Sequence, residues 1–201
     1  MAFIISFEGT EGAGKGSCLD IFKKYLEKNN TVYSFSSPGH TSLGKHIRTI
    51  FQHKYEDKEI LTELFLLLAD RAELIGKCIR PLLKKKCIIL LDRYHDSTFV
   101  YQGLIGGLPV SKIKQCLNLF PGMNRWPDMT FFITAPKKIL EIRNENKILD
   151  VIEKREDFFF IQKKYQEWFQ DKINVFTINN KNLLDISLKK MIKAYESYRK
   201  N

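Results

Sequence analysis

The chain has 201 residues, 44% of them hydrophobic and 28% charged, and its 33 Lys and Arg against 23 Asp and Glu leave a net charge of +10. A length of about 100–200 residues is one domain's worth and suffices for a core without staples or structural metals, so one domain over residues 1–201 is expected. The composition is ordinary globular usage and excludes wholesale disorder, collagen-like repeats and a coiled coil.

No stretch approaches the roughly 18–20 apolar residues of a membrane span, and the apolar start, Ala2 to Phe7, is too short for a signal-peptide core. The reading is soluble and cytoplasmic. The basic excess is scattered (Lys84 to Lys86, Lys137-Lys138, Lys163-Lys164, Lys189-Lys190) and is not interleaved with aromatic residues. Solvated helix faces explain it better than a nucleic-acid surface, while small phosphorylated molecules remain suitable partners. Cys18, Cys78, Cys87 and Cys116 stand far apart with no C-x-x-C pair, which reads as reduced thiols, with neither a metal site nor a disulfide framework. His40, His46, His53 and His95 read as surface or loop histidines.

In chain order, 3–8 reads as a short buried strand, followed by a glycine-rich turn from Gly9 to Gly16. Apolar residues at steps of three and four predict a helix over 17–28. Residues 31–35 are β-rich and stop at Ser36-Ser37-Pro38-Gly39, a loop signal. Leu43 to Phe51 reads as helix. Lys58 to Leu83 reads as a long apolar helical region that must stop or bend near Pro81. The apolar run 87–91 fits a strand buried on both faces, with Asp92-Arg93-Tyr94 at its C-terminal end. Helices over 96–104 and 110–119, a strand over 129–134 and a helix over 137–143 come next. An irregular polar stretch over 144–152, a helix over 154–169, a strand over 173–178 and a helix over 183–199 complete the chain. Alternating helices and apolar strands predict an α/β domain of three layers around a mostly parallel, five-stranded sheet, with ligands at the C-terminal strand ends.

Gly9-Thr10-Glu11-Gly12-Ala13-Gly14-Lys15 has the G-x-x-x-x-G-K spacing of a phosphate loop, and it stands between a predicted strand and a predicted helix, as that motif requires. Its glycines let successive N–H groups point into one concavity, where they and the helix N-terminus hold phosphate oxygens. Lys15 would bridge the outer phosphates. The Ser or Thr that normally follows the lysine and ligates Mg²⁺ is Gly16 here. Ser17 comes one helical step later, about 100° around the axis.

With Asp92-Arg93-Tyr94-His95-Asp96-Ser97 and Tyr101-Gln102-Gly103 added to the loop, the chain resembles the bacterial-type thymidylate (dTMP) kinase family over essentially its whole length. Leu68-Ala69-Asp70-Arg71-Ala72-Glu73, Pro38-Gly39 with Leu43-Gly44 and Ile47-Arg48, and Trp126-Pro127-Asp128 resemble further segments of the family.

The resemblance implies a P-loop kinase fold and transfer of the γ-phosphoryl of ATP to dTMP, with Mg²⁺ as cofactor, in a homodimer to which the apolar run 61–68 would contribute. It implies that Gly9 to Ser17 cradle ATP (Thr10, Glu11, Gly12, Ala13, Gly14, Lys15 and Gly16 between them) with Arg143 nearby. Lys15, Asp92 and Arg93 would be catalytic, with Ser17 and Asp92 toward the metal. Arg93 would hold the dTMP phosphate, Arg71 would clamp the nucleotide, and Glu11 would accept from the sugar 3′-hydroxyl. Pro38, Leu67, Ser97, Tyr101 and Gln102 would line the acceptor site.

The chain departs from the family at Gly16, at Ser36-Ser37 and His40, and at Leu67, where the family usually has a stacking phenylalanine. It also departs in a lid over 144–153, where Val151 replaces an arginine. These departures keep two other readings open: a related nucleoside or nucleotide kinase with a different acceptor, and a nucleotide-binding relative without catalysis.

Overall fold

Five short segments rich in apolar and β-branched residues form one sheet in the computed structural model, which describes residues 1–53, 58–119, 122–145, 156–181 and 183–200. The strands are β1 (Phe3–Glu8), β2 (Val32–Ser36), β3 (Ile88–Asp92), β4 (Met129–Thr134) and β5 (Val175–Asn179). Their order is β2-β3-β1-β4-β5, and all four pairings are parallel, so the sheet is wholly rather than mostly parallel. Helices α1 (Lys15–Leu26), α2 (Ser42–His53), α3 (Ile60–Leu74), α4 (His95–Thr98), α5 (Val110–Asn118), α6 (Lys137–Asn144), α7 (Phe158–Phe169) and α8 (Leu184–Lys200) connect or follow the strands.

Strand side chains alternate between faces, and the core divides accordingly. Ile5, Phe7, Ile88, Leu90, Met129 and Phe131 pack with Cys18, Leu19 and Phe22 of α1 and Met191 of α8. Ile4, Ile89 and Leu91 face Leu74, Ile75 and Ile79 at the end of α3. Phe132 meets Ile161, Tyr165 and Phe169 of α7. Because both faces are covered, the central strands read as unbroken apolar runs.

Several boundaries differ from the sequence reading. Helix α1 begins at Lys15 instead of 17, since the loop leads straight into it. The long helical region gives way after Leu74 to a wide π-helical turn over Ile75–Ile79 and a short 3-10 turn over Arg80–Leu82, where Pro81 cannot donate within a helix. The predicted helix over 96–104 is α4 followed by π-helical turns over Phe99–Ile105.

The strand order places β1 between β3 and β4, so connections run to opposite sides of it. That is a topological switch point, where a crevice opens beyond the C-terminal strand ends. Gly9 and Arg93 follow β1 and β3 at that crevice.

Candidate active site

The loop after β1 closes on α1 through Gly14, whose φ of +90° is left-handed. A Cβ there would lie 2.3 Å from Asn180 Nδ2, so both backbone and space call for glycine. Every carbonyl from 10 to 13 is occupied. Lys15 Nζ donates to the Thr10 carbonyl at 3.0 Å, Asn144 Nδ2 to that of Glu11 at 3.1 Å, and Asn180 Nδ2 to that of Ala13 at 2.9 Å. Arg143 Nη1 reaches the Gly12 and Ala13 carbonyls at 3.3 Å each. With its carbonyls occupied, the loop has its amides and the N-terminus of α1 to offer an anion.

Glu11, Gly12, Gly14, Lys15, Gly16 and Ser17 line a cleft of about 1300 Å³ empty volume, together with Asp92 and Arg143. Arg48 and Asn180, given no role by sequence, line it too. Gly9, Thr10 and Ala13 are buried and outside that lining. Among the described residues, Asp92 Oδ1 is buried with no hydrogen-bond partner.

A second pocket, of about 470 Å³ empty volume, gathers Pro38, Leu67, Arg71, Arg93, Ser97, Tyr101 and Gln102, adding Ser37, Phe51 and Thr98. Arg71 is not a surface residue: at 1% exposure it donates to Thr98 Oγ1 and to the Tyr94 carbonyl, both at 3.0 Å. Asp70 holds the 37–39 turn, accepting from Ser37 Oγ at 2.8 Å and Gly39 N at 3.1 Å. This explains Ser37 where the family has a charged residue: its hydroxyl ties the turn to α3. The absent phenylalanine at Leu67 is matched by a ring from elsewhere, because Phe51 of α2 packs with Leu67 and Ile47 and lines the pocket.

Arg93 lies between the pockets. It has φ +63°, a sparsely populated region for any residue but glycine, and its neighbours hold it there. Arg93 N donates to the Phe7 carbonyl at 3.0 Å, and Tyr94 N to Glu8 Oε1 at 2.7 Å. Arg93 Nη1 reaches the Gly9 carbonyl at 2.9 Å, Tyr165 Oη at 3.1 Å and Tyr101 Oη at 3.3 Å. Glu11 Oε2 lies 3.8 Å from both Lys15 Nζ and Arg93 Nη2, so one carboxylate spans the cations of the two pockets.

Glu8, fully buried beneath Arg93, accepts from Ser97 Oγ at 2.6 Å. Burial, and next the charge of Asp96, push its carboxyl up from 4.5 to about 7. The folded protein therefore keeps a proton that the unfolded chain releases above about 4.5, and this contribution to stability is full below that pH and lost as pH rises through about 7. Glu8→Gln is expected to flatten that decline, measured as urea midpoints between pH 5 and pH 8.

Sequence reasoning missed Glu8, Asp70, Glu63, Phe51 and Tyr165, all buried. It also misplaced His95, which is 0% exposed and packs against Tyr94 and Trp126 with ring centroids 3.9 and 5.1 Å away. Burial holds its imidazole well below the usual range, so it is a neutral core residue. Of the expected lid over 144–153, residues 146–153 lie outside the described residues, Val151 among them, as do Lys154 and Arg155.

A phosphate loop at the switch point of a parallel five-stranded sheet, beside a pocket lined by arginines, defines a P-loop kinase fold. The thymidylate kinase family model matches residues 7–191. A thymidylate kinase of Thermosipho africanus is 35% identical over 184 residues, covering 90% of this chain and 91% of that protein. One of Kosmotoga olearia is 38% identical over 158 residues, covering 77% and 76%. The crystal structure of thymidylate kinase from Ehrlichia chaffeensis superposes with a TM-score of 0.76 at 26% identity, covering 96% of this chain and 98% of that one. The chain belongs to the thymidylate kinase family.

Proposed function

We propose that the protein transfers the γ-phosphoryl of ATP to the 5′-phosphate of dTMP, giving ADP and dTDP. The observation that carries this is the junction at Glu11, where the lysine of the phosphate cleft and the arginine of the acceptor pocket converge on one carboxylate. Two polyanions seated in these pockets would meet there. Phosphoryl transfer needs mostly positioning and neutralised charge. Lys15 and the loop amides would hold the donor phosphates. Arg93 would hold the acceptor phosphate, and Arg48, in the lining of the neighbouring cleft, supplies a cation that Ser36 and Ser37 do not. Glu11 would accept from the sugar 3′-hydroxyl, and Arg71, Gln102, Leu67 and Phe51 would enclose the base.

The residues fit a Mg²⁺ ion carried in with ATP. Asp92 Oδ1 is an acceptor with no donor among the described residues, and Ser17 is exposed in the same cleft. Asp92 and Ser17 would hold the ion, which when bound neutralises phosphate charge. Gly16 gives no hydroxyl, yet a Cβ there would meet nothing within 4 Å. Gly16→Thr is therefore expected to fold normally and to lower the Mg²⁺ concentration for half-maximal turnover about tenfold, read from a metal titration of ADP release.

A homodimer in the cytoplasm fits this reading. Among the described residues no helix is long and apolar enough to cross a membrane. Leu61 and Phe65 of α3 and Leu119 after α5 are large apolar side chains 50%, 57% and 68% exposed, a face that a second copy would cover.

The test is a coupled ADP-release assay with ATP, Mg²⁺ and dTMP, dUMP, dCMP or deoxynucleosides as acceptors. Turnover with dTMP as the best acceptor is the expected result. A different best acceptor overturns the assignment, and tight ATP binding without turnover on any of them establishes a nucleotide-binding relative instead.

A further inference from the structure

We propose that Glu63 fixes which end of the Gln102 amide faces the acceptor pocket, and that this sets the discrimination between 4-oxo and 4-amino pyrimidine bases. The inference rests on the reading of that pocket as a base site. Glu63 lies on α3 about two turns before Arg71 and is 0% exposed. Gln102 is 1% exposed and lines the pocket, whereas Glu63 is outside the lining. Gln102 Nε2 donates to Glu63 Oε2 at 3.2 Å.

In that bond the amide nitrogen donates and a carboxylate oxygen accepts. The NH₂ end of the amide is therefore committed to Glu63, and Oε1 is turned away from it. That oxygen is buried with no partner among the described residues, and so is the Nε of Arg71 in the same pocket. Buried polar atoms left unpaired are costly, and these two are complementary: one accepts, the other donates.

A base edge with a ring N–H beside a carbonyl satisfies both. Thymine and uracil present that edge at N3–H and O4. Cytosine presents the reverse, a bare N3 and an amino group, and would set acceptor against acceptor and donor against donor. The apolar walls, Phe51 and Leu67, cannot separate bases of nearly the same shape, whereas buried hydrogen-bonding groups can. An amide free to turn over would put its NH₂ toward the base and favour the wrong edge. Glu63 acts through Gln102 and is a positioning residue.

The test is steady-state kinetics with dTMP, dUMP and dCMP on the wild-type chain and on Glu63→Gln, Glu63→Asp and Gln102→Leu. A glutamine at 63 can donate as well as accept, so it no longer fixes the amide. The expected result for Glu63→Gln is a fall of about tenfold or more in the dTMP-to-dCMP ratio of kcat/KM. That fall would come mainly from KM, with kcat for dTMP changed less than about threefold, and with dUMP following dTMP because it carries the same edge. Glu63→Asp, still only an acceptor, is expected to keep most of the ratio.

A role in packing alone would lower the melting temperature and every acceptor's activity together, so an unchanged ratio in a folded Glu63→Gln protein overturns the proposal. Should that variant not fold, Gln102→Leu decides, because an unchanged ratio there removes the amide from base selection. A wild-type enzyme with no preference for 4-oxo bases defeats the assignment of the pocket itself, and the proposal with it. One that has the preference and keeps it in both variants defeats the roles of Glu63 and of the Gln102 amide and leaves the assignment of the pocket standing.

Discussion

Arg93→Ala is expected to lower kcat/KM for the acceptor nucleotide about 10³-fold, the range in which arginines that neutralise transferring phosphates act. Arg93 lines the acceptor pocket, and its second nitrogen approaches Glu11 beside Lys15. It is preorganised as well as charged: backbone bonds at Arg93 N and Tyr94 N hold its left-handed conformation. Its Nη1 has the Gly9 carbonyl and two tyrosine hydroxyls around it. Arg93→Lys is expected to recover less than about a tenth of the loss, since an ammonium is a point charge without the planar fork. ADP-release kinetics over a range of dTMP concentrations check both variants. A thermal melt close to wild type confirms that the fold survives, because alanine meets the same backbone strain as arginine.

The second large effect is expected at Lys15. Lys15→Ala should reduce kcat about 10³-fold and weaken ATP binding by a smaller factor. The ammonium is 6% exposed and held by the Thr10 carbonyl and Glu11, so it already stands at the mouth of α1 before any nucleotide arrives. Its removal also takes a cation away from Glu11, which sets a carboxylate against incoming phosphates. The kcat loss is read from ADP release at saturating ATP, and the affinity loss from calorimetric titration with ADP.

The layout was legible where one physical rule dominates. Strands buried on both faces read as unbroken apolar runs, so 87–91 and 129–134 identified themselves. The phosphate loop did so as well, because glycine spacing, a strand before it and a lysine after it are all local. What stayed hidden depends on contacts between distant segments. Glu8, Glu63 and Asp70 look in sequence like ordinary polar positions, and only the packed structure shows which buried donors each one accepts from. Phe51 is 16 positions from Leu67 in the chain and lies on a different helix, so only the packing of α2 on α3 shows that the pocket takes its ring from α2. The π-helical turns at Ile75–Ile79 and Phe99–Ile105 leave no periodic signal that distinguishes them from continued α-helix.

The carbonyls of the phosphate loop are held by Asn144, Arg143 and Asn180, residues 130 to 167 positions away along the chain. The motif therefore takes its shape from residues at least 130 positions downstream of it. Bringing such distant partners together is slow, since loop closure must precede the contacts that reward it. The residues of the motif do not make a working cradle by themselves. The cradle is thus a property of the assembled sheet, since Asn180 at the end of β5 must be docked before it can hold the Ala13 carbonyl.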